Sequence, residues 1–221
     1  MMRLAEIDQS KLGKELMKFS IHWLSQKVSK LYFLQIGEID DDIFQYIDSL
    51  DVPYKIEKSD KDYMSGWMFK NNESLDDNYK IIDESFDWVL YPDADDLLPE
   101  NILELVNEAE EMGCETIRFH FIECFGSKDN IIAVTEGFPI GPHFKAVKYK
   151  EGITFVGSDG FNEAKGPLKR YETEYCMRHM RYADPNGIEE RKRMNYFQEY
   201  FLQNHEIIPY KPTQKLNYYR R

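Results

Sequence analysis

An α/β domain with a central mixed sheet flanked by helices is what this sequence predicts, and three observations predict it. Apolar runs of strand length alternate with helical patterns through the first half. The second half turns to closely spaced strands separated by Gly and Asp. The 221 residues, 42% of them hydrophobic and 14% aromatic, suffice for one substantial core. One domain over residues 1–221 is expected, without linker or repeat.

Each element has its own signal. Leu12, Leu16, Phe19, Trp23 and Leu24 recur at helical spacing, so an amphipathic helix is expected over 10–30, starting near Ser10. The run "LYFLQIGEI" reads as a buried strand, "DDIFQYIDSL" as a short helix and "VPYKIEK" as a second strand, which together make a β-α-β unit. Residues 59–78 are polar, carry Gly66 and show no clean period, so they read as an irregular connection. A helix from about Asn78 to Ser85 then leads to the strand "FDWVLY". Pro99 marks a first helical position, Ile102, Val106 and Ala109 supply one face, and Gly113 closes the helix. From Glu115 onward "ETIRFHFIECF", "NIIAVTE", "HFKAVKY" and "ITFVG" read as strands, followed by "TEYCMRHMRYAD" and a final helix through "GIEERKRMNYFQEYFLQN".

Composition excludes several classes. The three cysteines form no CxxC pair, so neither a zinc knuckle nor a disulfide framework is indicated. No signal-peptide core and no membrane-length apolar window is visible, and a cytoplasmic protein without a transmembrane segment is expected. A net charge of −12 argues against nonspecific nucleic-acid binding, but residues 165–221 carry 12 Lys and Arg against 7 Asp and Glu. An anionic ligand is therefore attracted to the C-terminal quarter.

The stretch "DWVLYPDADDLLPEN" aims an apolar strand at three carboxylates, Asp93, Asp95 and Asp96. Beyond the C-terminal end of a central strand lies the usual ligand edge of an open α/β sheet. Clustered carboxylates repel one another there, and a divalent ion such as Mn²⁺ or Mg²⁺ relieves the repulsion while leaving positions for phosphate oxygens. The plainer reading is that Asp95 and Asp96 stabilise the N-terminus of the helix after Pro99.

The run "NYKIIDESFDWVLYPDADDLLPENI" resembles the middle of the GT-A fold glycosyltransferases, particularly their family-2-like group, where a helix with a leading Asn precedes a strand ending in a DxD motif. Two further segments resemble that group more faintly, "HFKAVKYKEGITFVGSDGFNEA" as its acceptor-side segment and "CMRHMRYADPNGIEERKRMNYF" as its closing element. The resemblance implies a GT-A-like (Rossmann-like) fold with a nucleotide-sugar half over about 1–113 and an acceptor-side half over about 114–221. It implies a non-processive transferase moving a hexosyl or pentosyl unit from a nucleotide-diphosphate sugar to an acceptor hydroxyl. By the same resemblance Asp93 and Asp95 contact the nucleotide and the metal, with Asp96 beside them, and His179 completes the metal or diphosphate site. Asp40 recognises the base, and Arg178 and Arg181 meet the leaving diphosphate. Glu163, or else Asp159, is the catalytic base.

Bland alternatives stand beside these roles. His179 also reads as a strand histidine bonded to backbone, Asp40 as a helix N-cap, and Asp159 and Glu163 as turn residues. The usual opening strand is missing or reduced to "MRLAEID", and the Gln-x-x-Arg-Trp element of processive synthases is absent. Other functions are an inactive GT-A-like module that binds a sugar or a partner, and a metal-dependent phosphatase, which Leu97 disfavours where a hydroxyl residue is wanted. The acceptor is open among glycan, lipid-linked, protein and nucleic-acid hydroxyls. The tail "HEIIPYKPTQKLNYYRR" either grips an anionic acceptor or packs its aromatic residues on the domain.

Overall fold

The computed structural model describes residues 1–5, 13–61, 63, 67–133, 142–156, 163–183 and 206–216. Strand β1 (Met2–Ala5) pairs in parallel with β2 (Leu31–Ile36), and β2 in parallel with β3 (Tyr54–Ser59). The larger sheet runs β4 (Trp88–Leu90), β8 (Pro142–Lys148), β6 (Thr116–Phe125), β11 (Arg170–Tyr182) and β5 (Asp96–Leu97). Only β6 and β11 are parallel along that path; the other pairs are antiparallel. At the far end of β6, β7 (Asn130–Ile132) pairs with β12 (Ile207–Pro209), and β9 (Phe155–Val156) pairs with β10 (Glu163–Ala164).

The two sheets approach each other where the N-terminal amine of Met1, just ahead of β1, donates to the carbonyl of Leu90 at the end of β4 at 2.5 Å. The chain therefore builds outward from β1 to β3 and resumes on the other flank with β4. This reversal of strand order is the kind of place where open α/β sheets hold ligands.

Helices cover both faces, as the mixed α/β pattern predicts. On one face α1 (Lys14–Ser25), α2 (Asp41–Asp48) and α4 (Ile102–Glu111) bury Met17, Ile21, Leu24, Ile43, Ile47, Ile102 and Leu105 against Leu4, Phe33, Ile117 and Met177. Their apolar residues fall three and four apart, so each presents one continuous stripe. On the other face α3 (Trp67–Lys80) packs Leu75 and Tyr79 into a second cluster with Tyr32, Val89, Tyr91, Phe144 and Phe155. Among the described residues no helix is long and apolar enough to cross a membrane.

Three sequence-based expectations need correction. The polar stretch 59–78 contains most of α3, because Ser74, Leu75, Asn78 and Tyr79 form a narrow buried stripe that the surrounding polar residues mask. The helix expected over 78–85 is absent: α3 ends at Lys80, and Ile81 turns into the second core cluster. The opening strand has the reduced form expected of "MRLAEID": β1 is four residues long and in register with β2 from Met2–Phe33 to Ala5–Ile36. The helix expected to begin at Pro99 starts slightly later, at Ile102 after the N-cap position Asn101. The helix expected after Gly187 lies outside the described residues.

Candidate functional site

Strand β4 ends in an apolar pair, Val89 and Leu90, and Pro92 prevents the strand from continuing its ladder. The chain then closes a tight turn over Asp93 to Asp96, held by the Asp96 N–H donating to the Asp93 carbonyl at 3.0 Å. The turn is pinned to β11, because Met180 N–H donates to the Asp95 carbonyl at 2.6 Å and Asp96 pairs with His179 in the ladder. Backbone bonds thus aim the carboxylates before any side chain meets them.

Each carboxylate then finds a cation. Arg3, buried on β1, ion-pairs with one oxygen of Asp93 and donates to Ser74 Oγ on α3 at 2.9 Å. Lys145, buried on β8, reaches the other Asp93 oxygen at 2.6 Å and Asp96 Oδ2 at 2.9 Å. Asp96 also accepts the Asp93 N–H at 3.0 Å. His179 Nε2 stands 3.1 Å from Asp95 Oδ2, and its Nδ1 lies 2.9 Å from a Glu123 carboxylate oxygen on the neighbouring strand β6. Among the described residues, four carboxylates (Asp93, Asp95, Asp96, Glu123) face three cationic groups (Arg3, Lys145, His179), leaving one negative charge in excess.

This arrangement moves the titrations of its members. Burial alone lowers the pKa of His179, but the charges of Glu123 and Asp95 outweigh it and hold the imidazole well above its usual range. For Asp95 burial acts upward, while the His179 charge and hydrogen bond, joined by the Lys145 charge, carry the carboxyl well below the ordinary range.

The ligand atoms of Asp95, Asp96 and His179 lie within 4.8 Å of one another. Two carboxylates and an imidazole suit Mn²⁺ or Mg²⁺ once His179 releases the Nε2 proton that faces Asp95, and Glu123 on the second ring nitrogen is then the partner that fixes the tautomer of a metal-binding histidine. The donor set therefore fits a divalent ion at these three residues, with Asp93 turned toward Arg3 and Lys145 instead.

No profile of a known protein family matches the sequence, and no curated protein matches it. Several solved structures are similar to it, among them the following two. A crystal structure of S. aureus TarS 1–349 aligns with 61% of this chain and 41% of its own at 11% identity and a TM-score of 0.40, so less than half of that chain is spanned. A Bacillus anthracis protein described as a glucose-1-phosphate thymidylyltransferase, in complex with sucrose, aligns with 94% of this chain and 87% of its own at 10% identity and a TM-score of 0.40.

The remaining residues singled out in the sequence are dispersed. Arg178 does not join the cluster: neighbouring strand residues point to opposite faces, so with His179 at the acidic turn Arg178 is directed away. It donates to the Lys128 carbonyl at 3.0 Å, lies 3.4 Å from Glu100 and stacks its guanidinium 4.1 Å from the Tyr210 ring centroid. Asp40 occupies the N-cap position of α2 without a side-chain capping bond and pairs with Lys14 at the start of α1. That pair lies beyond the C-terminal end of β2, on the half-exposed rim. Glu163 and Arg181 are placed by their backbones alone, in β10 and β11, and Asp159 lies outside the described residues.

Sequence reasoning missed Arg3, Lys145 and Glu123. Lys145 had a signal, since a lysine between Phe144 and Ala146 in a buried strand needs a counter-charge. A tail that packs rather than reaches outward is seen in its described part: β12 pairs with β7, Leu216 is buried and Tyr210 covers Arg178.

A cavity of about 230 Å³ opens elsewhere, before β2 and β4, lined by Lys30, Tyr32, Phe86, Trp88 and Val106 among others. Its lining includes Met1 and all of β4, and none of Asp93, Asp95 and Asp96.

Proposed function

We propose that the protein is a non-processive glycosyltransferase that moves a sugar from a nucleotide-diphosphate donor to an acceptor hydroxyl, with a divalent ion held by Asp95, Asp96 and His179. The observation that carries this reading is the acidic turn at the β1–β4 reversal, facing a histidine whose other nitrogen is held by Glu123. The bound ion, Mn²⁺ or Mg²⁺, would supply charge neutralisation for the leaving diphosphate. Within the chain, Glu123 keeps the His179 ring turned toward Asp95, and Arg3 holds Asp93 while anchoring the turn to the first strand. Glu163 or Asp159 is proposed to accept the acceptor's proton. Arg181 and Asp40 remain proposed contacts to the donor, at the diphosphate and base ends. Arg178 is dropped from that set, because Glu100, Lys128 and Tyr210 already engage it on the opposite face.

The test is binding of UDP-, GDP- and CDP-sugars by thermal shift and calorimetry, with and without Mn²⁺, on the wild type and on Asp95→Ala. Stabilisation by one donor that needs the metal and disappears in Asp95→Ala supports the reading. Silence toward every donor overturns it and favours a binding module, for which the extensive internal pairing of the carboxylates is the supporting observation. Binding without sugar transfer to any acceptor class also favours the module.

A further inference from the structure

We infer that Lys145 is a built-in counter-ion of the acidic turn, one that competes with the divalent ion for Asp96 and is the group placed to meet the ligand's phosphates. The inference rests on the proposed use of this site and deepens it.

A lysine ammonium is a compact charge with three donors on a flexible stem. Lys145 spends contacts on two carboxylates at once, Asp93 at 2.6 Å and Asp96 at 2.9 Å, from a side chain only 5% exposed. The two acceptors differ in what else they have. Asp93 keeps Arg3 if Lys145 leaves, so its charge stays compensated. Asp96 has no other cation among its described ion pairs, and it belongs to the trio whose ligand atoms gather within 4.8 Å. A divalent ion at that trio therefore needs the oxygen environment that Lys145 now neutralises, and repels the ammonium by like charge.

The direction of displacement follows from the strands. Lys145 is on β8, and Asp96 lies across the turn on β5, beside β11. An ammonium released from Asp96 stays tethered near Asp93, at the rim of the same turn. There it can donate to an anion that also touches the ion, and a diphosphate is the anion of that chemistry. Lysine and metal then act in sequence on the same carboxylate.

The consequence is a pair of effects of opposite sign. In Lys145→Met, which keeps the apolar stem and removes the charge, Mn²⁺ alone is expected to bind at least about tenfold more tightly than in the wild type. In the same variant inorganic pyrophosphate in the presence of saturating Mn²⁺ is expected to bind at least about tenfold more weakly. Both are read by isothermal titration calorimetry, with Mn²⁺ occupancy checked by electron paramagnetic resonance. An unchanged or weakened Mn²⁺ affinity overturns the competition, and an unchanged pyrophosphate affinity overturns the phosphate contact.

Circular dichroism establishes that the variant is folded. If it is not, Lys145→Met with Asp93→Asn removes one charge of each sign and is read by the same two criteria. Nucleotide-sugar binding by the wild type decides the proposed function separately. A wild type that binds Mn²⁺ but no donor defeats that function while leaving the Mn²⁺ comparison fully readable.

Discussion

His179 and Glu123 face each other across the parallel strands β11 and β6, with the imidazole Nδ1 2.9 Å from one carboxylate oxygen and 3.0 Å from the other. The carboxylate thus grips one side of the ring while Asp95 waits on the other. Glu123→Gln retains the size and a hydrogen-bonding oxygen but loses the charge that orients and polarises the ring. Mn²⁺ affinity is expected to fall about 10- to 100-fold, measured by calorimetry, with the fold's unfolding midpoint changed far less than the affinity.

Arg3 joins the first strand to the acidic turn, and its removal leaves Asp93 with Lys145 alone. Arg3→Met is expected to cost about 2 kcal/mol in urea unfolding, less than for a fully orphaned buried charge because one cation remains. Adding Asp93→Asn to Arg3→Met is expected to recover part of that loss. No recovery would show that Arg3 acts through Ser74 and packing instead.

Arg178 offers the opposite signature. It is buried, stacked on Tyr210 and bonded to the Lys128 carbonyl, all on the face away from His179. Arg178→Met is expected to destabilise the protein by about 2 kcal/mol while leaving Mn²⁺ affinity unchanged. Loss of metal binding with stability intact would return this residue to the site.

Acid stability reports on a second, independent network. Burial raises the pKa of Asp77, but hydrogen bonds from Lys61, Tyr63 and Lys80 outweigh it and hold the carboxyl at about 2, below its ordinary 3.8. With the folded value below the unfolded one, the ionised carboxylate stabilises the fold above the unfolded value, and this contribution is lost as the pH falls from about 4 toward 2. Thermal melts of the wild type are expected to drop across that window more steeply than those of Asp77→Asn. Parallel curves would remove Asp77 from the acid transition.

The thiols are expected to be silent in the native state. Cys114, Cys124 and Cys176 are all buried, and burial pushes the Cys124 thiol up to about 12. A chromogenic disulfide reagent should detect three thiols in denaturant and essentially none before unfolding. Fast native reaction at Cys124 would contradict its packing against β7.

The elements most legible in the sequence were those bounded by local punctuation. Helix α4 lies between Pro99 and Gly113, and Gly113 takes the positive φ of 66° that ends such a helix. Helix α3 was hidden because its buried stripe is narrow and its remaining surface polar. The acidic turn itself was visible from three carboxylates after an apolar strand. Its partners were not, since Arg3 and Asp93 are 90 residues apart, Lys145 and Asp93 are 52 apart, and such contacts leave no local period. Arg178 was grouped with His179 by adjacency in sequence, although in a strand adjacency separates side chains onto opposite faces.

The scattered origin of the acidic turn's partners also constrains how the chain is made. During synthesis the N-terminal segments emerge first, so Arg3 and Asp93 leave the ribosome well before Lys145, and His179 later still. A carboxylate cluster with two of its three counter-charges missing resists burial. The nascent chain therefore holds this part of its interior open to water until β11 has emerged, and a fragment ending before His179 lacks the last cation needed to close it.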